Sequence, residues 1–460
     1  MRAADAHVPK ARLFVIAAAV AGSGAILWLS RTFNFYFDEW TFILPSDASW
    51  TVYLQPHNEH PAMLLRLIYA VLLGTVGMRS YLPYMAVLLA LHATSVVLLF
   101  ELVRRRAGDV VAIAAALLLL VLGAGWENLL WAFQIGFVGS VACGLSALLV
   151  LSESGRPHPR EARNASQAGP PHQVGRPGPA ALLLFGSLLF SGIGLFFLIA
   201  AGVWLALTPD RRRELVWLAP VALALVAWYL GYGRSGATTS VTGNLQALPL
   251  YVAWGLAASV AGLIGQSLYG PALLVVALAV LGFSWFRHRP DGFTIGIAVA
   301  LLAFYVVIGI SRAQIGYEQS GAGRYVYEGA IFWILLLADA ARHLPWHGTW
   351  RPALIACVFL ACFSSSVLLY TWALAKTEQM QREAADLQAL ATERQDPCLN
   401  PNGVVDPLVL PQITNPAVYY RAVDRHGDPV AGMPAIRNAD SDRARNNLVK
   451  PGCVRPAESL

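Results

Sequence analysis

Apolar runs of about 18 or more residues recur along most of this chain, separated by short arginine clusters. A run of that length with few charges is long enough to cross the hydrocarbon layer as a helix. A chain built from many of them cannot fold around one water-soluble core. Composition agrees: only 13% of the 460 residues are charged, 57% are hydrophobic and the mean hydropathy is +0.54. The fold class expected is an all-α polytopic membrane protein. The net charge of +6 does not argue for nucleic acid as a partner, because the arginines flank apolar runs as they do in cytoplasmic loops.

Topology follows from apolar length and arginine bias. Arg2, Lys10 and Arg12 precede the run 13–30, which reads as an uncleaved anchor with its N-terminus inside. Residues 31–80 then form an outer loop carrying Phe37-Asp38-Glu39-Trp40 and Pro56-His57-Asn58-Glu59-His60. Keeping Arg104-Arg105-Arg106 in the cytoplasm requires 61–77 to be an interfacial helix, with 81–103 as the second span. Segments 110–123 and 129–151 go out and back, delivering the Pro/Gly/His-rich stretch 152–179, with Arg156, Arg160, Arg163 and Arg176, as a disordered cytoplasmic loop. Residues 180–207 must be two short crossings broken near Ser191-Gly192-Ile193-Gly194, a break that should be buried or line a cavity. Residues 215–230 lead outward to the loop 231–244. The segment 250–268 is interfacial or re-entrant, 271–286 returns, and 293–310, 326–341 and 352–374 complete about eleven spans.

Beyond this membrane domain (1–374), residues 375–460 are expected to form a short extracytoplasmic tail. Cys143, Cys357 and Cys362 fall in apolar spans, whereas Cys398 and Cys453 are the two cysteines of the tail. They are expected to pair as a disulfide in an oxidising compartment; the alternative is two free thiols. Localisation to the plasma (inner) membrane, N-terminus cytoplasmic, follows.

Few polar groups remain to carry function. Glu101 beside Arg104 and Asp339 beside Arg342 read as structural pairs at cytoplasmic ends. The other notable ones, Asp38, Glu39, His57, Glu59, His60, Glu127, Asn128, Arg234, Arg312, Glu318, Arg324 and Glu328, fall at outer ends of spans, as in an interfacial enzyme rather than a pump. An Asp-Glu pair just after the first span, a Pro-led interfacial helix ending at Gly74 or Gly77, and a second span closing on basic residues together resemble the polytopic GT-C glycosyltransferases. The likeness is to the protein O-mannosyltransferase and lipid A aminoarabinose transferase branches in particular. It covers the layout of residues 10 to about 210. His57-Asn58-Glu59-His60 departs from the pattern those branches carry there, and the tail is short, so acceptor identity does not carry over.

The resemblance implies transfer of a sugar from a polyprenyl-phosphate carrier to a glycan, lipid or protein acceptor at the outer face, with inversion. Asp38 takes the place of the base, Glu39 that of the supporting acid, and Glu127 that of a second acid. Like-charge proximity could raise one pKa of the Asp38-Glu39 pair. The chemistry also needs positive charge near the departing phosphate: Arg324-Tyr325 is the first candidate, Arg312 the second and Arg234 the third. Each has a plainer alternative: a loop acid for Asp38-Glu39, a helix-dipole acid for Glu127, a surface ion pair with Glu328 for Arg324. Tyr36 and Trp40 read as interfacial anchors, and Gln134 as an interhelical hydrogen-bond partner.

His57, Asn58, Glu59 and His60 read as contacts to acceptor or phosphate, or as structural hydrogen bonders. A divalent metal on His57, Glu59 and His60 stays open as a cofactor, although Pro61 disfavours the helix that would align them. Two other classes compete: a transporter or flippase for a lipid-linked sugar, which should show related halves or midplane polar groups, and a noncatalytic envelope assembly protein.

Overall fold

A computed structural model describes residues 8–45, 49–153, 176–236, 241–266, 269–344 and 348–453. The expected disorder of 152–179 falls mostly outside them, as do Arg156, Arg160 and Arg163. The described residues are helical apart from turns and isolated bridges. Seven helices are long and apolar enough to cross a membrane, or eight if the bent pair Pro209–Trp217 and Ala219–Gly231 is one span. This count takes Leu82–Leu120 as one helix and leaves out the shorter apolar helices Met63–Thr75, Pro177–Phe190 and Gly194–Leu207, so it does not decide the expected eleven.

The first helix, α1 (Val8–Leu29), is followed by a loop segment of short helical turns, then by α2 (Met63–Thr75), only 13 residues long. The next, α3 (Leu82–Leu120), is nominally 39 residues, but Gly108 at φ 82° reverses it. His92 Nε2 lies 3.2 Å from the Leu120 carbonyl oxygen, 28 residues on, where a straight helix would put them about 42 Å apart. The helix is therefore an antiparallel hairpin, and glycine is the residue that adopts such a φ without strain.

The arginines ahead of the hairpin tie one end of the bundle together. Arg104 pairs with Glu101 at 2.9 Å, Glu101 also receives Arg12 of α1, and Arg106 bridges Asp339 at 2.7 Å and Asp291 at 2.8 Å. We call this the basic face.

Helix α4 (Ile135–Glu153) runs to the basic face. It packs against α5 (Pro177–Phe190), which returns, and α6 (Gly194–Leu207), which goes back. Small residues permit the close approach: Ser140 and Ser187 hydroxyls each donate to the other's carbonyl at 2.9 and 2.7 Å, and a Cβ on Gly144 would lie 2.2 Å from Phe197. Arg211, after α6, donates to the Leu151 carbonyl at 3.0 Å and so returns to the basic face. The break between α5 and α6 thus sits at the opposite, site face.

Helix α7 (Ala219–Gly231) leads back to the site face, where Trp228 Nε1 donates to the Leu54 carbonyl. Helix α8 (Val241–Gly262) is long enough to span, yet both of its ends meet site-face groups. Asn244 accepts from the Gln314 amide at 2.7 Å, and a Cβ on Gly262 would lie 2.6 Å from Val326. It lies across the bundle, the arrangement of an interfacial or re-entrant helix.

Helices α9 (Gly270–Arg287), α10 (Gly292–Arg312) and α11 (Gly323–Ala341) alternate between the faces; α11 is buried along nearly its whole length despite Arg324, Glu328 and Asp339. The last long helix, α12 (Trp350–Glu393), continues unbroken through the expected domain boundary at 374. The tail then folds back on its second half through α13 (Pro416–His426) and α14 (Ala439–Leu448). Tyr420 donates to the Leu390 carbonyl, Gln388 bonds both Pro434 and Ile436, and Arg382 pairs with Asp440 at 3.0 Å. Cys398 and Cys453 are joined by a disulfide. The tail is a folded cap on the site face, not a loose extension.

Candidate functional site

The segment leaving α1 is pinned by aromatic packing. Phe35 sits edge-on to Tyr81 and Tyr84 at 5.2 and 4.9 Å, and Trp40 meets Tyr419 of the tail at 5.9 Å. Trp40 is fully buried and is a core residue, not the interfacial anchor expected from its type. Between them Phe37 adopts φ 45°, a conformation costly for a bulky residue, by about 1–3 kcal/mol, and found where surrounding structure over-determines the backbone. This kink sends the two neighbouring acids in different directions.

Glu39 points inward and is fully buried. Its carboxylate accepts from the Tyr36 amide at 2.7 Å and from the Tyr69 and Tyr81 hydroxyls at 2.5 and 2.9 Å. It ties the loop to α2 and α3, and it does not line the cavity that Asp38 enters. Burial, partly offset by these donors, pushes its pKa up to about 7. The expected role as a supporting acid beside Asp38 gives way to an anchoring one, and burial rather than like charge is the main cause of the shift.

Asp38 lines a cavity of about 340 Å³ at the site face, shared with His57, Glu127, Arg312, Arg324 and Lys376. His57 Nε2 lies 3.5 Å from Asp38 Oδ2, and its ring sits between Phe42 and Phe133 at centroid distances of 5.2 and 5.0 Å. His57 and His60 exchange backbone hydrogen bonds at 3.0 and 3.1 Å, closing a tight turn with Asn58 at φ 52°. The segment is thus neither the helix a metal site would use nor a fully extended loop. Burial and the nearby Arg312 charge lower His60 to about 4, so the ring is neutral at physiological pH. Asn58 and His60 line the cavity, whereas Glu59 turns away and pairs with Arg312 at 2.9 Å. Among the described residues no group of three or more His, Cys, Asp or Glu is arranged to hold a metal ion.

Arg324 pairs with Glu127 at 2.7 Å across 197 positions of sequence, not with Glu328 one turn along its own helix. Glu328 is instead buried and accepts from Asn128 at 2.9 Å. Tyr325 is buried at the cavity edge, with its ring 5.1 Å from the Arg324 guanidinium. Arg234 is exposed and outside the cavity. The α5–α6 break contributes Ser191, and Gly192 lies where a Cβ would be 2.6 Å from His60 Nδ1.

Three contributors were missed from sequence. Lys376, two residues beyond the expected end of the last span, is buried with Nζ 3.0 Å from the Tyr36 ring centroid, a close cation–π contact. Gln134, read as an interhelical hydrogen bonder, instead lines the cavity with its amide oxygen buried and without a partner among the described residues; the Trp131 indole N–H lines it in the same state. Nothing in the spacing of these residues marks them, although Lys376 is the first cation after a long apolar run. A buried donor and acceptor without protein partners in a chamber holding carboxylates and three cations make a site suited to a polar, anionic ligand.

Compared with known proteins, the chain matches no family model, no curated protein and no solved structure.

Proposed function

We propose that the chain is a membrane glycosyltransferase that moves a sugar from a polyprenyl-phosphate-linked donor to an acceptor hydroxyl, with inversion at the anomeric carbon. The observation that carries this reading is the shared cavity, where Asp38 has, among the described residues, only the distant His57 as ionic partner while Arg312, Arg324 and Lys376 line the same space. Asp38 removes the acceptor hydroxyl proton as the oxygen attacks the anomeric carbon. The bond from that carbon to the phosphate oxygen breaks, and the polyprenyl phosphate leaves with its charge matched by the cations. Glu127 holds Arg324 toward the cavity, and the neutral His60 and unpartnered Gln134 offer hydrogen bonds to sugar hydroxyls. In this reading the basic face and the N-terminus are cytoplasmic, and the site face with its tail is the outer face of the plasma membrane. Glycan, lipid and protein acceptors all present a suitable hydroxyl.

The test is binding of polyprenyl phosphate, the common product, to wild type, Asp38→Asn and Arg324→Ala by native mass spectrometry, followed by a donor-sugar transfer screen. Binding kept in Asp38→Asn with transfer abolished, and binding lost in Arg324→Ala, is the expected pattern. Binding no better than bulk lipid would remove the reading. Movement of the lipid across a bilayer without transfer would assign a flippase instead.

A further inference from the structure

A second pocket lies beside Phe42, between α2 and residues 41–45 and 52–53, with His426 of the tail at one edge. It encloses about 210 Å³ and is lined by Phe42, Tyr53, Arg66, Ala70, Gly74 and His426 among others. Its lining holds a single cation of fixed charge, Arg66, which has no carboxylate partner among the described residues. The Arg66 guanidinium rests 4.8 Å from the Phe42 ring centroid, and its Nε is buried without a hydrogen-bond partner among the described residues. A guanidinium held this way, with no counter-charge among the described residues, is placed to engage an anion.

The surroundings specify what kind of anion. Ala70 and Gly74 of the pocket continue on α2 into Leu67 and Val71, apolar side chains 47% and 54% exposed, and Trp50, two residues before the lining residue Val52, is 71% exposed. A cation beside an apolar stripe on a short helix that does not span matches an amphiphile lying at the membrane surface, phosphate inward and chains along the stripe.

We propose that this pocket binds the phosphodiester headgroup of an anionic membrane phospholipid, with Arg66 as its charge partner and the Leu67–Val71 face as the seat of its acyl chains. The tail already meets α2 at this pocket: a Cβ on Gly77, just past the helix, would lie 2.2 Å from the His426 carbonyl oxygen, and His426 Nδ1 is 3.2 Å from the Leu73 carbonyl oxygen. The site is separate from the central cavity and does not depend on the transferase reading.

The full chain, purified in neutral detergent, would be mixed with equimolar phosphatidylglycerol and phosphatidylcholine, and the retained lipid read by native mass spectrometry. Wild type should keep one phosphatidylglycerol in preference to phosphatidylcholine. Arg66→Gln should reduce that preference about ten-fold, the scale of one lost charge-assisted contact, while Arg66→Lys retains most of it. Val71→Ser, on an exposed position that leaves the core intact, should weaken retention of both lipids and serves if Arg66→Gln does not fold. Arg324→Ala should leave the preference unchanged. An unaltered preference in Arg66→Gln, or a loss in Arg324→Ala equal to that in Arg66→Gln, would overturn the proposal. So would full displacement of the lipid by millimolar inorganic phosphate, which would make this a site for a free anion.

Discussion

Replacing Glu39 with glutamine keeps the shape of the buried acid and removes its titration. In the folded chain this carboxyl titrates near 7, against an ordinary value of 4.5. The acid therefore binds its proton more tightly folded than unfolded, so its stabilising contribution is complete below 4.5 and is lost as pH rises through 7. At 1.36 kcal/mol per pH unit, that separation corresponds to about 3 kcal/mol, with little solvent screening because the group is fully buried. His60 works in the opposite sense. Its folded value near 4 lies below the ordinary 6.5, so stability rises with pH across that interval. The wild-type curve alone mixes the two, and the informative quantity is the stability of wild type minus that of Glu39→Gln, measured by denaturant unfolding in mixed micelles from pH 4.5 to 8. This difference should fall by about 3 kcal/mol with increasing pH. A constant difference, or one that rises, would refute the assignment of a buried acid with a raised pKa.

Substituting both Cys398 and Cys453 with serine opens a loop of 55 residues and should cost the tail about 4 kcal/mol by loop-closure entropy, read as faster proteolysis beyond residue 393; unchanged cleavage would show that packing alone holds it. Gly236→Ala would place a Cβ 1.7 Å from the Asn58 carbonyl oxygen, forcing the His57–His60 turn to shift. It should lower polyprenyl-phosphate affinity with little change in Tm, and unaltered affinity would separate that turn from the ligand. Arg324→Ala, Glu127→Ala and the double variant should show a coupling of about 1–2 kcal/mol in stability, after allowing for the partial exposure of Arg324. A coupling near zero would mean that the pair does not hold Arg324 in place.

Charge bias along the chain carried much of the architecture. Arg104, Arg105 and Arg106 demand a reversal, and the reversal occurs at Gly108. Arg211, Arg212 and Arg213 demand a break inside 180–207, and it occurs at Ser191–Ile193, beside the cavity. Such features are legible because the cost of burying a guanidinium in hydrocarbon acts on local sequence.

Side-chain direction was not legible in the same way. Asp38 and Glu39 are adjacent, and only the positive φ at Phe37, set by packing of distant aromatics, decides which faces the cavity. Arg324 had an acid at helical spacing in Glu328, but tertiary packing brought Glu127 instead, because Glu328 turns into the core toward Asn128. Glu378, Arg382 and Glu383 at helical spacing mark a helical start to the tail, but Lys376 escaped notice because nothing in its spacing sets it against Tyr36. The tail likewise reads as irregular by composition, and its order comes from the scaffold supplied by that continuing helix.

At 44 residues that helix is about 66 Å long, twice the thickness of the hydrocarbon layer. It has no internal glycine, and its one proline, Pro352, lies in the first turn, so neither residue interrupts it beyond that turn. Lys376 sits partway along this strut and the tail grips its far end. A torque applied to the tail from outside would be delivered as a rotation of Lys376 against Tyr36, so a partner that never touched the cavity would still have a mechanical hold on its charge.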